Sequence, residues 1–299
     1  MTYIDTYNIA NFNKAIALLY RNLSASKPSD FEARVTAISE SFLGRPYLLG
    51  SCGEGHEGYF DQAPLYRLDG FDCVTYVNTV LALALSNDVV MFRKKLIQIA
   101  YRGGELSYSH RHHFTSVDWN VHNQSKGLIK DVTADILDAH GNSMVETATA
   151  LIDRPGWFSK RNYSDIRLLQ NVSANKEEQL LSEMRAIAMQ VEAEESHLPY
   201  LPLEKMFDKN GQPIHSIFIQ IPHGAVVEIV RPNWDLKEKI GTNLNVSHVG
   251  FAIWKGNDLF YRQASSIEKR VCDIPFADYL HYRLFSPTVK GINIQSLTI

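Results

Sequence analysis

Five short apolar stretches crowd the last third of the chain, and together they demand a sheet. They are Ile217–Ile221, Ala225–Val230, Val246–Ile253, Asp258–Ala264 and Gly291–Gln295. Pro222-His223-Gly224, Arg231-Pro232-Asn233 and Lys255-Gly256-Asn257-Asp258 supply turn signals between them. Earlier in the chain the period changes. Residues 8–24, 28–43, 89–101 and 176–195 repeat apolar side chains at helical spacing, with Ser29 the expected N-cap of the second. Helices first and strands last argue for an α+β fold with a mostly antiparallel sheet.

Between these elements, Gly127–Thr133 reads as a strand, 136–147 as a loop or short helix, and 147–159 as a loop. Gly44, Gly50, Gly53, Gly55 and Gly58 recur too closely for a helix, so residues 44–60 form a loop of the kind that lines sites. Leu180, Leu181, Met184, Ile187, Ala188 and Val191 make an apolar stripe, which marks 176–195 as a covering helix ended by Pro199 and Pro202. Residues 1–299 read as a single domain. Its parts are a helical 1–43, a 44–105 region around Cys73, insertions and groove elements over 106–210, and a strand-rich 211–299.

A net charge of -3 gives no nucleic-acid footprint, and no apolar run reaches the roughly 20 residues of a membrane span. The first eight residues have neither the basic nor the apolar region of an export signal. The 3 cysteines, Cys52, Cys73 and Cys272, include no C-x-x-C pair, so neither a disulfide scaffold nor a common structural zinc site is expected.

Cys73 stands out. Asp69-Gly70 is a turn pair, Asp72 is a good N-cap, and Val74, Val77, Leu81 and Leu85 follow at helical spacing, so Cys73 opens a helix. The positive end of a helix favours a thiolate; a buried structural cysteine is the competing reading. A cysteine nucleophile needs a base and a group that orients the base. His248 lies on a strand where it shares a face with Gly250 and Ala252, small residues that leave space beside the ring. Gln263, on the next strand, can accept the second imidazole N–H. A hydrogen-bonded core histidine and an ordinary strand amide are the alternatives.

Residues 105–125 hold a polar cluster, His110, Arg111, His112, His113, Asp118, Trp119, Asn120 and His122 among them. Arg111 can bind a carboxylate and Trp119 can stack on a sugar, which makes Arg111, His112, Asp118 and Trp119 candidate substrate-binding residues. They otherwise form a structural network. His110, His112, His113 and Asp118 also admit a zinc-amidase reading, against which stand the opposed directions of adjacent histidines in a strand and the lack of a His-Glu-x-x-His helix.

Gly44-Arg45-Pro46-Tyr47-Leu48-Leu49-Gly50, Phe71-Asp72-Cys73-Val74-Thr75-Tyr76-Val77 and Ser247-His248-Val249-Gly250-Phe251-Ala252-Ile253 resemble, in that order, the NlpC-type papain-like cysteine hydrolases of bacterial cell walls. Arg111–Trp119 and Gln263-Ala264-Ser265-Ser266 resemble the branch described as N-acetylmuramoyl-L-alanine amidase-like. The resemblance runs from about Gly44 to Phe285. It implies a papain-like core with Cys73 as nucleophile at a helix N-terminus packed on the sheet, and His248 as general base. Tyr47 becomes the aromatic whose hydroxyl lies beside the nucleophile, and Gln263 the group orienting the base. Many relatives carry histidine at that last position; glutamine holds the ring but adds no charge. The glycine-rich insertion between Gly50 and Asp72 is expected to wall the substrate groove.

The implied reaction is hydrolysis of the amide between N-acetylmuramic acid and L-alanine in peptidoglycan fragments. The partners are therefore muropeptides, with no cofactor and no metal, in the periplasm or cell envelope. Alternatives are a stem-peptide endopeptidase cutting after D-glutamate, the zinc-dependent amidase, and a non-catalytic wall-binding module.

Overall fold

The computed structural model describes residues 7–298; the first six residues, which bear on the export reading, lie outside them. Four helices come first: α1 (Tyr7–Ser26), α2 (Phe31–Glu40), α3 (Cys73–Ala84) and α4 (Val89–Ala100). Aspartates cap three of them, because an aspartate carboxylate accepts the orphan N–H groups of a first turn. Asp30, and not Ser29, caps α2; Asp72 caps α3 and Asp88 caps α4.

Short helices α5 (Asn120–Ser125) and α6 (Arg154–Ser159) and the longer α7 (Ala174–Ala186) fill the middle of the chain. The strands are β1 (Ile129–Asp131), β2 (Glu146–Ile152), β3 (Glu194–Pro202), β4 (Val226–Asp235), β5 (Asn243–Lys255), β6 (Asp258–Ser265), β7 (Arg270–Pro275) and β8 (Gly291–Leu297). They form one antiparallel sheet in the order β2-β3-β8-β4-β5-β6-β7, with β1 beside β8. The α+β expectation with an antiparallel sheet therefore describes the molecule.

Several local readings change. The 147–159 loop is β2 followed by α6, and Pro199 and Pro202 lie inside β3. Pro199 is tolerated because its ladder partner is on β2 while the β8 ladder begins only at Leu201. The Arg231-Pro232-Asn233 turn signal is absorbed into β4, which continues to Asp235 through register shifts. Residues 217–221 hold the end of a one-turn helix, His215–Phe218. There Ile217, Phe218 and Ile221 are buried while Ile219 is exposed, a helical spacing hidden beneath an alternating sequence. β7 carries no strong apolar alternation and was not anticipated.

The strand carrying His248 separates two cores. Val249, Phe251 and Ile253 pack with Tyr76, Val77 and Leu81 of α3. On the opposite face Ala252 packs with Tyr261, Phe276 and Tyr279. α7 covers a third cluster through Leu180, Leu181 and Met184, with Ile187, Ala188 and Val191 against it. The helix ends at Ala186, however, a 3-10 turn takes Ile187–Gln190 and β3 opens at Glu194, so the 176–195 expectation runs too long. Arg262, fully buried, joins sheet to helices: it pairs with Asp273 at 2.7 and 2.8 Å and reaches Ser39 Oγ of α2 at 3.0 Å.

Glu228 lies in the sheet interior beside Asn120, whose Nδ2 donates to its Oε2 at 3.1 Å. Burial pushes the Glu228 carboxyl up to about 8, so it is a neutral acid at pH 7. Its folded-state pKa exceeds the unfolded value. The stability it lends is thus fully present below about pH 4.5 and is lost as pH rises through 8. Glu228→Gln keeps the Asn120 contact and removes the ionisation. Urea melts of the wild type should lose a few kcal/mol between pH 5 and 9 that the variant keeps; parallel pH curves would refute the assignment.

Candidate active site

Asp72 and Cys73 form the junction between the glycine-rich loop and α3. The Asp72 carboxylate accepts Thr75 N–H at 2.8 Å, and Thr75 Oγ1 accepts Asp72 N–H at 3.0 Å, a reciprocal capping box. The other carboxylate oxygen accepts Gly50 N–H at 3.1 Å, so the cap also holds the loop. Cys73 is the first helical residue and packs against the core that holds Val249 of β5, whose backbone N–H pulls the thiol pKa down. That packing sets the thiol beside the residue that follows His248.

His248 has its ring 6.0 Å from that of Tyr261. The space beside it is not open: a Cβ on Gly250 would meet the Tyr261 ring at 2.8 Å. The small residue is needed so that Tyr261 can pack there, and α3 packs on the other face of β5. Gln263 stands beside the His248 ring on the neighbouring strand and draws its pKa upward. Nε2 of the ring and Nε2 of the amide are both buried without a geometrically formed partner among the described residues. Tyr47 is half-buried, pairs with Phe71 in a short parallel bridge, and feels the Cys73 charge. Tyr47 thus lies by Cys73 and Gln263 by His248, with Val249 of β5 linking the two pairs.

Electrostatics departs from the thiolate expected of a helix N-terminus. Burial, and then the Asp72 carboxylate, push the Cys73 thiol up to about 12; the backbone N–H groups of Val249, Val74 and Cys73 pull it down by less. The thiol nonetheless keeps some accessible surface. Burial pushes His248 down to about 4, against the upward pull of Gln263, and Arg283 adds to the fall. Desolvation outweighs the helix end at Cys73 and the pull of Gln263 at His248. The resting pair is a neutral thiol and a neutral imidazole. Burial and the Cys73 and Asp72 charges raise Tyr47 to about 12, which keeps it a phenol able to donate.

The polar segment at 105–125 lies elsewhere. Arg111 Nε donates to Glu54 Oε1 at 2.8 Å and its Nη2 to Asp61 at 2.9 Å, and Arg167 also pairs with Asp61. Gly53 is fixed by this cluster, since a Cβ there would meet the Asp61 carboxylate. Trp119 is only 4% exposed, and its indole N–H donates to Asn78 Oδ1 at 2.8 Å. A ring so placed has no face free for a sugar. Asp118 accepts from Phe114 N–H and Arg154. Burial pushes His112 down to about 4, with its ring 4.6 Å from that of His122. The structural network, and not the substrate-contact expectation, describes Trp119, Asp118 and Arg111 here. The four residues of the zinc reading are bonded separately: His110 to Ser107, His113 to the Tyr108 carbonyl, Asp118 to Arg154, and His112 beside His122. Among the described residues no group of three or more His, Cys, Asp and Glu side chains converges on a metal position.

Residues 37–286 match the family model described as N-acetylmuramoyl-L-alanine amidase-like. The chain belongs to the N-acetylmuramoyl-L-alanine amidase-like family. Among solved structures, a Legionella pneumophila protein assigned to a domain family of unknown function is 45% identical, with 98% of this chain and 96% of that one covered and a TM-score of 0.94. An N-acetylmuramoyl-L-alanine amidase from Bacteroides uniformis shares the fold at 22% identity, with 90% and 99% covered and a TM-score of 0.61. No curated protein matches the chain. Family membership supports a peptidoglycan amidase-like role. Among the described residues no helix is long and apolar enough to cross a membrane.

Sequence reasoning passed over Tyr261 and Tyr279, which surround His248, and Arg231, Trp234, Tyr282 and Arg283, which border the same cleft. Arg231 and Trp234 lie on β4, and Tyr279, Tyr282 and Arg283 lie in and just after the helix Phe276–His281, and nothing along the chain joins the two sets to each other or to His248.

Proposed function

We propose that this amidase-like protein is a cysteine hydrolase cutting the amide between N-acetylmuramic acid and L-alanine in peptidoglycan fragments. The observation that carries the reading is the placement of Cys73 at the capped start of α3, packed with Val249, the residue that follows His248, with Gln263 on the strand beside it. His248 takes the thiol proton as Cys73 attacks the carbonyl carbon, and the new ion pair is stabilised by the backbone N–H groups around the sulfur. Of the two orientations of the Gln263 amide, the one turning Oε1 to the ring holds Nε2–H and leaves Nδ1 as the base. The Cys73 N–H and the Tyr47 hydroxyl donate to the oxyanion. His248 returns its proton to the departing amine, and water hydrolyses the thioester. On this reading the α+β fold is a papain-like core of the NlpC type, and the substrate would put the reaction in the bacterial cell envelope.

A neutral pair has a distinct pH signature. The base works while His248 is unprotonated, so kcat/KM should hold as pH falls through 6.5 and decline only near pH 4. Gln263→Glu adds a negative charge that favours imidazolium. The acid limb should then rise by about one unit or more, with faster alkylation of Cys73 at pH 6. An acid limb near 6.5 in the wild type would overturn the neutral-pair reading. The reaction itself is tested by mass spectrometry on a defined muropeptide: free peptide carrying an L-alanine amino terminus is expected. A sugar still bearing a dipeptide would instead establish endopeptidase cleavage after D-glutamate.

A further inference from the structure

A cleft of about 510 Å³ opens on His248 and Gln263, bordered by Arg231, Trp234, Tyr282 and Arg283. Its two arginines differ from the six that form ion pairs with acids elsewhere in the chain. Arg67, Arg111, Arg154, Arg161, Arg167 and Arg262 all pair with carboxylates. Among the described residues, no carboxylate lies within 4.0 Å of Arg231 or Arg283, and the one acid bordering the cleft, Glu268, is exposed on its rim.

Both guanidiniums are nevertheless held in place. Arg231 lies 4.4 Å from the Trp234 ring and donates from Nη1 to Thr288 Oγ1 at 2.8 Å; Arg283 lies 3.3 Å from the Tyr279 ring and donates to the Tyr279 carbonyl. Nε of Arg231 is buried with no partner among the described residues. Two fixed cations without a counter-charge, one with an unmet donor, repel each other until an anion arrives.

We infer that Arg231 and Arg283 bind a free carboxylate on the peptide half of the substrate. This rests on the amidase reading, which limits where that anion can be. The only carboxyl group of N-acetylmuramic acid is consumed in the scissile amide, so the sugar half offers none. His248 delivers its proton to the departing amine, which sets the peptide on the His248 side, where the cleft opens. The first free carboxylate, on the D-glutamyl residue, is two residues from the scissile bond, about 7 Å of extended chain. A cleft of this size spans that distance.

The test uses calorimetry of the whole protein with L-alanyl-D-glutamate and with its diamide, which need no turnover to report. The wild type should bind the diacid about ten- to a hundredfold more tightly than the diamide, with the preference weakening in salt. Arg231→Gln and Arg283→Gln should bring it near unity, and Arg231→Lys should keep part of it. Unfolding curves of the same variants separate loss of the site from loss of the fold, with Arg231→Lys standing in if a glutamine variant fails to fold. Equal binding of the two peptides by the wild type, or a preference that survives both glutamine variants, overturns the inference. A diacid preference without muropeptide cleavage would leave the carboxylate site standing and remove the proposed reaction.

Discussion

Cys73→Ala should abolish release of peptide from a muramoyl–L-alanine substrate, and His248→Ala should lower kcat/KM by about a hundred- to ten-thousandfold. Both follow from the need to make a nucleophile out of a thiol held at about 12. Without an imidazole in contact range, almost none of it ionises at neutral pH. Asp72→Asn behaves differently. Asparagine still caps α3, and it removes a negative charge that holds the thiol pKa up. Activity should stay within about tenfold of wild type, while iodoacetamide modifies Cys73 faster at pH 7. Its amide can still offer an oxygen to Thr75 N–H, although the contact with Gly50 N–H weakens. Steady-state kinetics on one defined muropeptide compares the three. Equal losses in Asp72→Asn and Cys73→Ala would put Asp72 in the proton-transfer chain, and a His248→Ala variant within tenfold of wild type would sink the base assignment.

The second large effect concerns the loop before the cysteine. Asp61 is 1% exposed and receives both Arg111 and Arg167, with Ala63 N–H donating to its other oxygen at 3.0 Å. Asp61→Ala leaves two largely enclosed guanidiniums short of a partner, and breaking one side of such a network costs about 3–5 kcal/mol. Arg167 also donates to the Gly50 and Cys52 carbonyls, so the damage reaches the loop that meets the Asp72 cap. The urea midpoint should fall by that amount, and KM should rise in the variant that still folds. Asp61→Asn, which keeps the shape and one acceptor, should lose less. An unchanged midpoint in Asp61→Ala would mean the cluster is a solvated ion network with little net worth.

How much of this could be read early depends on the range of the interaction. Asp72 as cap and Cys73 as first helical residue were legible because capping acts over three residues. The face shared by Val249, Phe251 and Ile253 was legible because strands alternate. Failures came where neighbours distant in sequence decide. Ile217–Ile221 alternates like a strand, yet its buried positions follow a helix, because the pocket it fills lies over the end of β4. β3 hides behind two prolines, which are harmless only where a ladder is missing.

The site divides in the same way. Local pattern by itself determined that a capped helix begins at Cys73, that His248 and Gln263 stand on neighbouring strands, and that the chain is helical first and strand-rich last. Only the tertiary structure decided the charge state of the pair, since desolvation sums over atoms from every packed element. It also decided that Trp119 is core, that Arg111 holds a loop, and that Arg231 and Arg283 share one cleft. Those outcomes depend on which side chains arrive from other strands and helices, and no spacing along the chain records that.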